Sequence, residues 1–194
     1  MSLDPLYLFV FAGLFSPGPN VILLTASGAR FGFAATLPHV LGVAAGVGVT
    51  SGLTGFGLGA LLLAQPALML VLKIAAAGWI LWMAFKLVRA ATRPSDPGRD
   101  RPFTFVEAVL FQWVNPKVWA VAMAAAAGYG LGLAPEAEAW RLASAFSGIN
   151  LFVCLFWTSA GAFAARLLVT ARAWAIFLRV MAAALAVSAA LVFL

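Results

Sequence analysis

Two short stretches hold the residues best suited to chemistry: SPGPN at 16–20 and WVNPK at 113–117, each inside an apolar run. In the first, Pro17 and Pro19 remove two backbone donors and their rings clash with the preceding turn, so a helix is expected to break there. Gly18 adds torsional freedom, and Asn20 can cap a restarted helix or meet a ligand. In the second stretch Asn115 and Pro116 repeat the pattern, and Lys117 adds a full positive charge. A helix restarting at either break aims amide N–H groups and a partial positive charge into it. That favours an anionic group such as a carboxylate.

The elements that must position these breaks follow from composition. The chain is 64% hydrophobic and 9% charged, with a mean hydropathy of +1.05. These values describe an integral membrane protein. Apolar runs between breakers predict six spans, at roughly 3–26, 36–63, 67–90, 104–131, 141–165 and 175–194. The expected turns are SGARFG at 27–32, QP at 65–66, the polar run 91–102, GLAPEAE at 132–138 and the basic segment 166–174. No run alternates apolar and polar residues as barrel strands do, so the expected fold is an all-α bundle forming one transmembrane domain over 1–194.

Pro19 and Pro116 lie half of the 194-residue chain apart. With three spans per half, corresponding spans cross the membrane in opposite senses, which predicts an inverted repeat of 1–90 and 104–194 joined by a cytoplasmic linker at 91–103. Transporters of this kind interrupt matching helices near the midplane and bind substrate there. Irregular backbone at that depth is tolerated only against protein or a water-filled cavity.

The formal charge of +6 carries topology. Arg30, Lys86, Arg89, Arg93, Arg99, Arg101, Arg166, Arg172 and Arg179 flank the first, third and fifth connections, whereas Arg141 stands near Asp4, Glu136 and Glu138 on the opposite side. The positive-inside rule then places both termini outside the cytoplasm. The cations lie on membrane flanks without interleaved aromatic readers, which argues against nucleic acid as a partner. MSLD lacks a positive n-region and SPGPN interrupts the first apolar core, so the first span is expected to be retained rather than cleaved.

Ionisable groups inside spans are costly and point to function. Lys73, about two turns into the third span, and Lys117, beside the second break, are candidate carboxylate partners. Glu107 and His39 are candidate proton carriers, His39 because it titrates near neutral pH. Gln112, Asn150, Thr158 and Ser159 form a second tier that can line a cavity or bond between helices. Gly42 and Gly46 form a small-xxx-small pair suited to close helix approach. Cys154 is the single cysteine, and neither a metal-ligand spacing nor a phosphate-binding loop is present. Neither a metal nor a cofactor is therefore expected.

FSPGPNVILLTASGARFGFAATLPHVLGVAAGVGV and the later NPKVW resemble the first two helices and the fourth helix of the LysE/RhtB family of amino-acid exporters. The resemblance rests on Pro-Gly-Pro-Asn, a Gly-basic-x-Gly turn, a Gly-rich second helix and Asn-Pro-Lys. It implies a six-helix exporter in the cytoplasmic membrane that moves amino acids or related metabolites outward, driven by the proton gradient. The motif residues carry over to Pro17, Gly18, Pro19 and Asn20, and to Asn115, Pro116 and Lys117. Leu37, Pro38, His39 and Glu107 depart from the small residues usual at their positions in the family.

The expected function is a secondary transporter, with an amino acid or related metabolite and protons as partners. Alternatives are an exporter of a different metabolite and a channel built as a homo-oligomer. A single chain lacks the ring of repeated acceptors that a filter uses. Scattered Asp4, Glu107, His39 and Cys154 supply no catalytic spacing, so an enzyme is not expected.

Overall fold

The computed structural model describes residues 4–92 and 101–193. The described residues form nine helices and no strand: α1 Pro5–Phe15, α2 Pro19–Phe31, α3 Phe33–Gly55, α4 Leu58–Leu63, α5 Pro66–Thr92, α6 Phe105–Val114, α7 Pro116–Tyr129, α8 Pro135–Leu167 and α9 Ala171–Leu191. Helices α3, α5, α8 and α9 are long and apolar enough to cross a membrane; α1 and α2 together make a fifth candidate, bent by 60° at the break.

Several boundaries differ from the sequence expectation. The span expected at 36–63 stops at Gly55, because Gly57 takes a φ of 105°, a left-handed backbone that ends the helix and starts α4. The turn expected at 27–32 shrinks to Gly32, with φ 83°, so α2 runs on through Arg30. Within the stretch expected as the turn 132–138, α8 already begins at Pro135, since proline suits the first helical position, where its missing N–H has no partner to lose. Most of the expected linker, 93–100, lies outside the described residues.

Two apolar cores organise the bundle. One is built chiefly from α1, α3, α7 and α8 and holds Leu6, Val10, Val43, Val118, Leu142 and Phe146. The other comes chiefly from α2, α5 and α9, with Phe111 of α6, and holds Ile22, Ile80, Met83, Leu178 and Leu185. Helices α2 and α6 stand between the cores, since Leu24 of α2 and Ala108 of α6 are buried in the first and Ile22 and Phe111 in the second. Around the outside, Leu8, Trp82, Phe152, Phe163 and Val187 are exposed, as side chains meeting lipid should be.

Small residues set how closely these helices approach. A Cβ on Gly28 of α2 would strike the backbone of Thr158 in α8, and one on Gly161 of α8 would strike the backbone of Thr25 in α2. On α3, Gly42 faces the backbone of Phe105, Gly46 meets Gln112 and Val109, and Gly55 meets Glu138 and Ala139. The small-xxx-small pair therefore brings α3 against α6, while Gly55 meets α8.

At one end of the bundle, Arg141 ties three segments together. Its guanidinium donates to Asp4 Oδ2 at 3.1 Å, Glu138 Oε1 at 3.1 Å and the Tyr129 carbonyl at 3.0 Å. Asp4 also accepts from the Leu6 N–H as the N-cap of α1. That bond, with the help of Arg141, holds its carboxyl below the ordinary carboxylate range.

The reciprocal glycine contact gives a direct test. Gly161→Val should lower stability by about 1–3 kcal/mol, because backbone cannot move aside as a side chain does. Gly148→Ala in the same helix, where the added Cβ meets nothing within 4 Å, should leave thermal unfolding in detergent unchanged.

Candidate functional site

The first break is built by missing donors. Helix α1 ends at Phe15, and the Ser16 N–H still reaches the Ala12 carbonyl at 3.2 Å. Beyond it, neither Pro17 nor Pro19 can donate to the turn before it, and with Ser16 and Gly18 extended the helix has ended, so the Ser16 and Pro17 carbonyls have no helical partner. Lys117, from the first turn of α7, supplies one: its Nζ donates to the Ser16 carbonyl, to Ser16 Oγ at 2.9 Å and to the Pro17 carbonyl at 3.3 Å. A cation is disfavoured at the start of its own helix, yet here it meets the negative end of another. The charge expected to attract a ligand is therefore spent first on joining the two breaks.

Gly18 packs against the Lys117 stem and is not required for torsion. Its φ of −177° is ordinary extended backbone, but a Cβ there would lie 2.8 Å from Lys117 Cδ. The expectation of unusual torsions at Gly18 is corrected accordingly.

The asparagines also depart from a capping role. Asn20 lies in the first turn of α2, and its Nδ2 donates to Gln112 Oε1 at 2.9 Å while Gln112 Nε2 returns a bond to Asn20 Oδ1 at 3.3 Å. Asn115 occupies the N-cap position of α7 without a side-chain cap bond. Its Nδ2 reaches Gln112 Oε1 at 3.4 Å, and its buried Oδ1 has no partner. Gln112, buried and also bonded to the Ala108 carbonyl at 2.9 Å, is thus the hub between breaks. Its place one turn before Asn115 was the available signal; Ser16 gave none beyond adjoining Pro17.

A cavity of about 510 Å³ opens on one side of this junction. Pro17, Gly18, Pro19, Asn115, Pro116 and Lys117 line it together with Lys73 from α5. Of the expected substrate-binding residues only Asn20 is elsewhere, facing a space of about 20 Å³ on the other side with Asn150, Cys154 and Trp157. That space has room for one water, and the buried Asn150 Nδ2 beside it lacks a partner. Gly18, Asn115 and Lys117 line both spaces, so they form the partition between them.

The expected proton carriers sit apart from the breaks. Glu107 accepts from both Arg101 terminal nitrogens, at 2.6 and 2.7 Å, and completes a capping box with Thr104 at the start of α6. That pairing raises the Arg101 guanidinium further above its ordinary value. His39 is buried, lies 5.0 Å from the Phe103 ring and has no partner on either nitrogen. It lines a separate space of about 70 Å³ with Arg30, Lys86 and Arg101. Of the second tier, Thr158 is buried with an unpartnered hydroxyl, whereas exposed Ser159 bonds the Leu155 carbonyl of its own helix.

If the reciprocal amide pair holds the breaks together, Asn20→Ala and Gln112→Ala should be non-additive. A double-mutant cycle on unfolding in detergent should return a coupling of about 1 kcal/mol.

Similarity to known proteins agrees with this layout. The sequence matches the LysE type translocator family over residues 11–194. It is 29% identical over 103 residues to the cysteine/O-acetylserine efflux proteins of Escherichia coli (strain UTI89 / UPEC) and Shigella flexneri serotype 5b (strain 8401), covering 53% of this chain and 52% of theirs. The chain thus spans about half the length of the curated relatives it matches. No solved structure matches it. With a match from residue 11 to the last residue, and with both proline breaks inside it, this multi-pass membrane protein belongs to the LysE type translocator family.

Proposed function

We propose that the protein is a secondary transporter exporting amino acids or closely related metabolites across the cytoplasmic membrane, with its substrate site at the two breaks. The observation that carries this reading is the single cavity lined by both breaks and by two lysines, closed on its far side by Gly18, Asn115 and Lys117. The efflux proteins named above support the substrate class, and the family supports translocation.

In this reading α6 and α7 together are a sixth span, and 1–90 and 104–194 are inverted repeats about the junction. The matching proline breaks, Pro19 opening α2 and Pro116 opening α7, support that symmetry. The positive-inside rule puts the Lys73 end of the cavity outside the cytoplasm and the Arg30, Lys86 and Arg101 end within it. The structure then corresponds to an outward-open form.

Opening the other way requires the partition to part. Lys117 would leave the Ser16 and Pro17 carbonyls, and Asn20 would leave Gln112, as the two cores rock against each other. A substrate that offers an acceptor oxygen to Lys117 and a donor to Asn115 as they separate replaces part of what is lost. Proton antiport supplies the driving force. His39, with two unpartnered nitrogens, is the better placed carrier, because Glu107 is held by Arg101 and its helix cap.

The test is release from proteoliposomes preloaded with the common amino acids and their acetylated derivatives, with and without an imposed pH gradient. Wild type should give saturable, gradient-stimulated release, and Lys117→Ala and Asn20→Ala should each reduce kcat/KM about tenfold or more, as loss of a charged or paired contact does. Non-saturating flux would favour the oligomeric channel instead. No release by wild-type protein shown to be folded would overturn the reading.

A further inference from the structure

Lys73 and Lys117 line the same cavity, yet their surroundings differ. Lys117 spends its hydrogens on the oxygens of Ser16 and Pro17. Lys73, half-buried in α5, has no hydrogen bond or ion pair among the described residues. None of the residues lining the cavity is Asp or Glu. The remaining wall is largely apolar, with Leu72, Trp113, Trp119 and Met123 among it. Neither ammonium meets a carboxylate, but Lys117 is compensated in part by the oxygens of Ser16 and Pro17, which leaves Lys73 the less compensated of the two in a largely apolar cavity.

An occupant must answer that charge. A carboxylate on Lys73 does so, which leaves a plain amino acid with an ammonium group and no anion to receive it. A neutral acceptor would give that group a hydrogen bond but no counter-charge, and an uncompensated charge away from bulk water is costly. If the amine is acylated, the same nitrogen becomes a neutral N–H donor, and the substrate brings one negative charge and no positive one to the two lysines. The apolar wall suits the side chain and the acyl group.

From this we infer that Lys73 is the carboxylate receptor and that the cavity prefers a net monoanion, an amino acid whose amine is acylated, over the zwitterion; this rests on the proposed export function. Cationic derivatives, which would bring like charge to Lys73, should be excluded.

The experiment uses the whole protein in proteoliposomes, with protein-free vesicles subtracted. The vesicles hold an equimolar mixture of leucine, methionine, phenylalanine, serine and cysteine, their N-acetyl forms and their carboxamides. In wild type the N-acetyl forms should leave with kcat/KM at least about tenfold above the parent amino acids, the low end of what one uncompensated charge costs, and the carboxamides should stay. Lys73→Arg should keep the preference and Lys73→Met should bring the ratio near one; Lys73→Gln replaces the methionine variant if that fails to fold. Equal or faster release of the parent amino acids would overturn the inference and leave the export function standing. A preference surviving in Lys73→Met or Lys73→Gln would overturn the role of Lys73. Release of neither class by folded wild type would overturn both readings.

Discussion

Everything at the centre of this protein depends on what happens to the carbonyls freed at the end of α1. Irregular backbone in a membrane protein must face protein or a cavity, and Ser16 and Pro17 are exposed with Pro17 lining the larger cavity. Lys117 satisfies the freed carbonyls from the opposite half of the chain. The lysine stem lies where a Cβ on Gly18 would, so a larger residue there would have to displace it. The same contact brings the start of α7 to the end of α1, and so sets where the two cores meet.

The junction is strong enough to hold one arrangement and weak enough to release it. Charge-assisted hydrogen bonds contribute about 1.5–3 kcal/mol each, and neutral side-chain bonds about 1 kcal/mol. Elsewhere, α2 and α8 cross through glycine contacts against backbone, which leaves little room for independent repacking. Polar contacts thus lie at the breaks, and rigid apolar or backbone contacts lie around them. A translocator needs that division, because a ligand shifts an equilibrium only by the contacts it makes differently in the two states.

The groups left without partners fall into separate places. Asn115 Oδ1 and Asn150 Nδ2 are near the junction, whereas His39 lies in the other space with Arg30, Lys86 and Arg101. Buried polar groups are normally paired, so unpaired ones beside cavities mark where a ligand, a water or a proton would be accommodated.

Much of this was legible in the sequence. The hydropathy required an all-helical membrane fold, the prolines required two breaks, and the resemblance pointed to the family. Lys73 and Lys117 stood out because a cation inside a span is expensive. What the sequence could not assign was partnership. Lys117 reads as a ligand for an anion until its distance to the Ser16 and Pro17 oxygens is known, and Gln112 reads as one polar residue among several until its amide is seen against Asn20. Local chemistry decides that a backbone must break and that its freed groups need partners. Which side chain answers them depends on residues about half the chain away, brought together only when the two cores pack.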